Sequence, residues 1–350
     1  MLENFQVIKI FLLTTFSFIL ALSLTPFLTN FLYKNKLGKQ IRSSQAAPVF
    51  SALHQKKAGT PTMGGIIIWL SILVLAVLFF YFKEMFPGSY LAKLNFLTRA
   101  ETLLPLGALV ASALVGLVDD WLGVKGLGPH GGGLKVSEKV LVYTIIALIG
   151  ALWFYFKLDW DVLRIPFLGN FSIGWWYIPI FVFIIVATSF SVNQTDGLDG
   201  LAGGVLLTSF GTLGAMAFIL GRYDLAAFCG MIAGALLAFL WFNINPARFF
   251  MGDTGAMSLG ITLGVVAMLT NTALFLPIIS VILVIESLST IIQQLSKRLR
   301  KGKKIFLSSP IHHHLEAIGW SEPKIVMRFW VISGVTSVVG LILFLLDRAW

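Results

Sequence analysis

Asn193-Gln194-Thr195-Asp196-Gly197-Leu198-Asp199-Gly200-Leu201-Ala202-Gly203-Gly204 joins two long apolar runs and sets two carboxylates three residues apart among glycines. Acidic residues are costly beside hydrocarbon, and those that occur there face a protein interior or a wet cavity. The flanking runs approach the ~20 residues that cross a bilayer. The stretch therefore reads as a polar junction at a membrane surface. Composition agrees: of 350 residues, 57% are hydrophobic and 12% charged, against about 25% charged in a soluble domain. The apolar runs lack the alternation of a transmembrane barrel, so helices are the spanning form. The predicted fold class is an all-α integral membrane protein.

Outward from the junction, ten spans are expected, at 5–33, 64–82, 102–119, 139–157, 175–192, 201–220, 225–242, 255–272, 274–296 and 326–346. Glycines inside them suit close helix packing. No soluble domain fits between them and no internal repeat stands out, so residues 1–350 read as one polytopic domain. The first run has no small-residue cleavage site and reads as a retained span. The single cysteine, Cys229, lies in an apolar run and excludes a disulfide framework.

Ten crossings put loops 34–63, 120–138, 193–200, 243–254 and 297–325 on one side. With helix-end residues such as Arg328 counted on the nearer side, that side holds 18 of the 26 Lys and Arg, and the other holds 8. The positive-inside rule makes the basic side cytoplasmic and leaves both termini extracytoplasmic. The net charge of +10 sits in these loops. Orientation and contact with anionic membrane lipid or substrate explain it better than nucleic acid does.

The polar constellations fall on that same side. Lys56-Lys57-Ala58-Gly59-Thr60-Pro61-Thr62-Met63-Gly64-Gly65 sets lysines beside a turn able to meet phosphate with ammonium, hydroxyl and N–H groups. A basic flank with Thr60 as helix cap is the plainer reading. Asp119 and Asp120 close an apolar run. Two adjacent carboxylates there need a cation, a proton or water, and Mg²⁺ takes oxygen ligands that it shares with substrate phosphates. Lys125, six residues beyond Asp119, is within reach of the same site. A solvated helix end is the alternative. Asp196 and Asp199 share a face if helical, or are turn formers beside glycine. Asp253, between Gly252 and Thr254 and near Asn243 and Asn245, is either a metal ligand or an N-cap. Consecutive His312, His313 and His314 point in different directions on a helix, so they suit contacts to phosphate better than one shared ion. The run from Lys297 to Lys304 also serves as a lipid anchor.

Taken in order, Gly59-Thr60-Pro61-Thr62-Met63-Gly64-Gly65, Asp119-Asp120 with Lys125, Asn193 to Ala202, Phe250-Met251-Gly252-Asp253 and Pro310-Ile311-His312-His313-His314 resemble the phospho-N-acetylmuramoyl-pentapeptide transferases of bacterial cell-wall synthesis. These form part of the polyprenyl-phosphate N-acetylhexosamine-1-phosphate transferase superfamily. The resemblance spans essentially the whole chain. The Asp pair and the Asp-Gly-Leu-Asp-Gly motif are shared across the superfamily. The Thr-Pro-Thr-Met-Gly-Gly turn, the His segment, Gly319-Trp320 and Glu322-Pro323 are particular to this family.

The resemblance implies a multi-pass enzyme of the bacterial inner membrane. It would transfer phospho-MurNAc-pentapeptide from UDP-MurNAc-pentapeptide to undecaprenyl phosphate, giving lipid I and UMP. It also implies Mg²⁺, a cytoplasmic-facing site and a homodimer. By resemblance, Asp253 is the metal ligand, Asp119 and Asp120 the essential pair with Asp119 as base or nucleophile, and His312 the essential first histidine. Lys57, Asp196, Gly197, Leu198, Asp199, Asn243 and Phe250 match the uridine side, and Lys125 lies near phosphate. Thr60, Asn193, His313 and His314 join the substrate-binding set. Gln194 departs from the family's usual Asn-Leu-Thr-Asp. A sister transferase using UDP-GlcNAc is the nearest rival, and the His segment and first-loop turn argue against it. A secondary transporter would carry its carboxylates at span centres rather than at helix ends.

Overall fold

Long apolar segments with no competing polar partner have one way to satisfy their backbone in hydrocarbon, the α-helix. The chain uses it nearly throughout. The computed structural model describes residues 2–38, 57, 59–99, 101–128 and 132–349. Its helices are α1 (Leu2–Lys34), α2 (Ile66–Met85), α3 (Leu103–Val124), α4 (Val136–Leu152), α5 (Tyr177–Thr195), α6 (Leu201–Ile219), α7 (Tyr223–Asn243), α8 (Gly252–Leu269), the short α9 (Leu276–Ile279), α10 (Val281–Leu299), α11 (Ile311–Ala317) and α12 (Glu322–Ala349). Among the described residues nine helices are long and apolar enough to cross a membrane, or ten if the bent α9–α10 unit is one span. Lys56 lies outside the described residues.

The core is built around α8, whose 18 residues are almost wholly buried. Helices α3 and α5 flank it. Its hydroxyls are satisfied internally: Ser258 donates to the Thr254 carbonyl at 2.6 Å and Thr262 to the Ser258 carbonyl at 2.7 Å. This back-bonding hides polar groups in an apolar interior. Thr254 links three helices, accepting from Trp69 Nε1 at 3.2 Å and donating to the Ala113 carbonyl at 2.8 Å. Gly116 makes the α3–α8 approach possible, because a Cβ there would run into the backbone of Asp253 and Thr254. Gly116→Val is therefore expected to cost about 1–3 kcal/mol through overpacking. The check is a lowered thermal midpoint in detergent, with Gly116→Ala falling between; an unchanged midpoint would refute the close approach.

Two expectations are corrected. The ninth span is not continuous: α9 and α10 meet at Ser280 with an 86° bend. The Ser280 N–H returns to the Leu276 carbonyl at 2.8 Å, and its hydroxyl is paired with Ser209 at 2.8 Å. Beyond the bend, α10 is inverted relative to a soluble amphipathic helix. Glu286, Ser287, Thr290, Gln293 and Ser296 are buried, while Ile285, Leu288, Ile291, Ile292 and Leu295 are exposed. The buried polar face explains why an apolar average over 274–296 mistook it for an ordinary span.

The chain is also not purely helical. A two-stranded antiparallel hairpin, β1 (Val162–Ile165) and β2 (Gly169–Ser172), follows α4. Arg164 holds it to the end of α12, with Nε 2.6 Å from Asp347 Oδ2. The Phe167 N–H donates to Asp347 Oδ1 at 2.6 Å. At the same end of the bundle, buried Lys9 pairs with Asp224 at 2.7 Å and caps the Asn95 carbonyl at 2.8 Å. These charges, scattered in sequence, are structural pairs.

Candidate active site

Helix ends bring the polar residues together. Asp119 and Asp120 close α3, Lys139 opens α4, Asn193 closes α5, and Asp253 opens α8. Lys139 Nζ lies 2.6 Å from Asp119 Oδ2 and 2.8 Å from Asp253 Oδ2, bridging two carboxylates from different helices. Asn193 Nδ2 donates to the other oxygen of Asp253. Asp119 Oδ1 accepts the Leu134 N–H at 2.5 Å, which ties the glycine-rich loop after α3 to the centre. Without an intervening cation, the two carboxylates would repel.

Asp120 faces elsewhere. Its oxygens accept the Asp253 and Thr254 N–H groups, each at 3.0 Å, and the Thr62 hydroxyl at 3.3 Å. Those amides belong to the first turn of α8, which has no intrahelical partners for them. Asp120 thus caps α8 from another helix. A carboxylate at a helix N-terminus is favoured by the dipole as well as by the hydrogen bonds. Asp253 is not the N-cap of α8; it stands inside the first turn, where the cap aims its side chain at Lys139.

The opening stretch is a turn. Helix α5 ends at Thr195 and α6 begins at Leu201. Gly200 takes φ +79°, a left-handed conformation that side chains disfavour. Asp196 and Asp199 therefore do not share a helical face. Asp199 is buried and collects three donors: Lys57 Nζ at 2.6 Å, Asn245 Nδ2 at 3.0 Å and the Ala247 N–H at 3.1 Å. Lys57 also meets Glu322 Oε1 at 2.5 Å, and the same oxygen accepts the Asp199 N–H at 2.6 Å. Asn243 staples the turn to the next loop, accepting from the Gly200 N–H at 2.9 Å and donating to the Phe249 carbonyl at 2.7 Å. Asp196 sits at the end of α5 and Leu198 is buried.

The first-loop turn docks onto the stretch before α8. The Phe250 N–H donates to the Pro61 carbonyl at 2.8 Å, and the Gly64 N–H donates to the Phe250 carbonyl at 2.8 Å. Lys57 Nζ stands 5.9 Å from the Phe250 ring centroid. The Thr60 N–H turns back to the Lys57 carbonyl at 3.2 Å. Lys125, expected beside Asp119, is instead exposed at the end of α3, and Lys139 takes that place.

The three histidines diverge. His312 Nδ1 is 2.8 Å from buried Glu286 Oε2. His313 Nδ1 is 2.7 Å from Glu316. His314 Nδ1 accepts the Leu307 N–H at 3.2 Å. Gln194 Oε1 accepts the Thr290 hydroxyl at 3.4 Å, a weak contact that faces α10.

Lys139, Glu286 and the role of Glu322 escaped the sequence reading. A lysine in the first turn of a span reads as an interfacial anchor. An acid inside an apolar run is a usable signal, and Glu286 carried it.

A Glycosyl transferase family 4 model matches residues 102–271, and a phospho-N-acetylmuramoyl-pentapeptide-transferase signature matches residues 57–68. The chain is 40% identical over 347 residues to the phospho-N-acetylmuramoyl-pentapeptide-transferase of Chloroflexus aggregans, covering 96% of this chain and 89% of that one. The chain belongs to the phospho-N-acetylmuramoyl-pentapeptide-transferase family. Other members are similar at full length: the Geobacillus sp. protein is 38% identical, covering 97% of this chain and 98% of its own, and the Bacillus subtilis protein is 38% identical, covering 93% and 94%. The phospho-N-acetylmuramoyl-pentapeptide-transferase signature covers Lys57 and the turn that docks on Phe250, so the matched segment is itself a wall of the polar site.

Proposed function

We infer that the chain transfers phospho-MurNAc-pentapeptide from UDP-MurNAc-pentapeptide to undecaprenyl phosphate, releasing UMP and forming lipid I for peptidoglycan synthesis. It is a multi-pass enzyme of the bacterial inner membrane. The observation that carries the reading is one bundle end where a carboxylate–lysine centre adjoins the turn built on Lys57 and Asp199. The basic loops support a cytoplasmic setting for that end, with both termini outside. A homodimer is part of the same reading.

The reaction breaks the bond between the β-phosphorus and the oxygen of the leaving UMP. It forms one to an oxygen of the lipid phosphate. Both partners are anionic, so positioning and charge neutralisation carry most of the work. Asp119 Oδ2, turned towards Lys139 and Asp253, is the atom suited to take a proton from the lipid phosphate or to attack the β-phosphorus directly. Lys139 sits where it can hold phosphate charge. Lys57, fixed by Asp199 and Glu322, serves the nucleotide side, with Phe250 beneath it. Asp120 holds Asp253 in place through the α8 amides.

The donor set fits Mg²⁺. Two carboxylates already share a cation in the Lys139 ammonium. Among the described residues no group of three or more His, Cys, Asp or Glu side chains could hold an ion by itself, so substrate phosphate and water would complete the set. Mg²⁺ keeps several waters and needs only one or two carboxylates besides substrate phosphates. Asp253, with Asp119 beside it, would hold the ion, which when bound neutralises diphosphate charge and steadies the leaving UMP.

Purified protein incubated with UDP-MurNAc-pentapeptide, undecaprenyl phosphate and Mg²⁺ is expected to give lipid I and UMP by mass spectrometry. Turnover of UDP-GlcNAc in place of the muramoyl substrate would move the chain's activity to the sister transferases.

A further inference from the structure

We propose that Glu286 is the positioning residue of His312, holding the ring so that Nε2 is turned to Gly197 at the edge of the proposed nucleotide-sugar site. The proposal rests on the transferase reading together with the expectation that His312 serves the nucleotide-sugar site. It adds the element that aims it.

Both residues are fully buried, at 0% exposure. Nδ1 and Glu286 Oε2 are 2.8 Å apart. The opposite ring nitrogen, Nε2, has no partner among the described residues, and neither has Glu286 Oε1. Nε2 abuts Gly197 closely enough that a Cβ there would overlap the ring nitrogen. The unpartnered ring nitrogen is therefore turned to the 196–200 turn, beside the Lys57–Asp199 pair.

A carboxylate inside an apolar interior is costly unless paired. Glu286 is held there by the unusual packing of α10. Ser287, next along the helix, accepts from the Ser191 hydroxyl at 2.8 Å and so fixes α10 to α5. Gln293 accepts the Ile305 and Phe306 N–H groups at 3.0 and 3.1 Å and donates to the Phe306 carbonyl at 2.8 Å. Those bonds suspend the segment leading into α11 from the same helix. The partner that one imidazole nitrogen makes sets the tautomer and direction of the other, and such carboxylate–histidine pairs are a general device for orienting a working ring. Without Glu286, rotation of the ring by half a turn would exchange Nε2 for carbon at the substrate face. The ligand chemistry this serves is an N–H or O–H donor of the UDP-sugar, the uracil N–H or a sugar hydroxyl, because a ring that gives its Nδ1–H to Glu286 keeps Nε2 as an acceptor.

The test is a double-variant cycle on the full chain, with lipid I formation as the readout. Glu286→Gln is expected to lower kcat about 10–100-fold, with KM for UDP-MurNAc-pentapeptide within about twofold. In a His312→Ala background the same change is expected to cost less than about twofold, because the two residues act as a unit. Losses that multiply in the double variant, or a Glu286→Gln enzyme with unchanged kcat, would overturn the proposal. Ring ¹⁵N resonances of the unaltered protein, assigned by difference from His312→Gln, give a readout free of any folding defect. They are expected to show a protonated, hydrogen-bonded Nδ1; an unprotonated Nδ1 refutes it. Full activity in His312→Ala would remove the premise that His312 serves that site. Absence of lipid I from the unaltered protein would instead remove the transferase reading itself.

Discussion

Asp253→Asn is expected to lower lipid I synthesis by about 10³-fold, the rate equivalent of several kcal/mol of lost charge stabilisation at a metal-assisted phosphoryl transfer. The substitution keeps the shape of the side chain and leaves the Asp253 N–H on Asp120 untouched. It removes the charge that faces Lys139 at 2.8 Å. Folding should therefore survive while Mg²⁺-dependent nucleotide binding is lost. Product formation by mass spectrometry and the thermal midpoint with and without Mg²⁺ are the measurements. An Asp253→Asn enzyme that keeps its rate to within about tenfold of the unaltered protein would take Asp253 out of the reaction.

Lys139→Met is the second large effect, and it separates stability from chemistry. The ammonium neutralises Asp119 at 2.6 Å and Asp253 at 2.8 Å. Removing one partner of a buried ion pair costs about 3–5 kcal/mol. Lys139 keeps 19% side-chain exposure, so about 2–3 kcal/mol is the reasonable expectation after solvent screening. The rate is expected to fall about 10²–10³-fold, as for loss of one preorganised charge-stabilising donor. A distinctive signature follows: Mg²⁺ should raise the thermal midpoint of the Lys139→Met variant more than that of the unaltered protein, because the divalent ion then relieves two facing carboxylates. Equal Mg²⁺ effects in both proteins would argue that the ion does not reach this pair. Arg is not expected to replace Lys, since its planar fork does not fit a point-charge position between two helices.

Most of the fold was legible because burial in hydrocarbon leaves few choices. Apolar length placed nine of the ten spans to within about five residues, and their alternation grouped the polar loops together. The ninth span was not legible. Pro277 precedes the break by three residues but opens α9 rather than lying at the bend, and Ser280 at the bend pairs with Ser209 from a distant helix. Asp199 and Lys57 could be assigned to one site from motif order, but their direct pairing could not, because it joins residues 142 apart. Asp119 and Asp120 look equivalent in sequence. Their difference arises from helix geometry: adjacent residues point about 100° apart, so one reaches Lys139 while the other reaches the start of α8. Lys125 was placed near Asp119 by spacing and resemblance, and Lys139 was not; in the fold Lys139 reaches Asp119 and Asp253 while Lys125 is exposed.

The inverted polarity of α10 has a consequence for how the chain is made. Its polar face finds partners both behind and ahead of it in synthesis: Ser191 and Gln194 have already emerged when α10 is translated, whereas Phe306 and His312 have not. A nascent chain stopped before residue 305 carries Glu286 with its histidine still missing and Gln293 with no backbone to bind. The polar face of α10 therefore gains these partners only once the segment from Ile305 to His312 is in place.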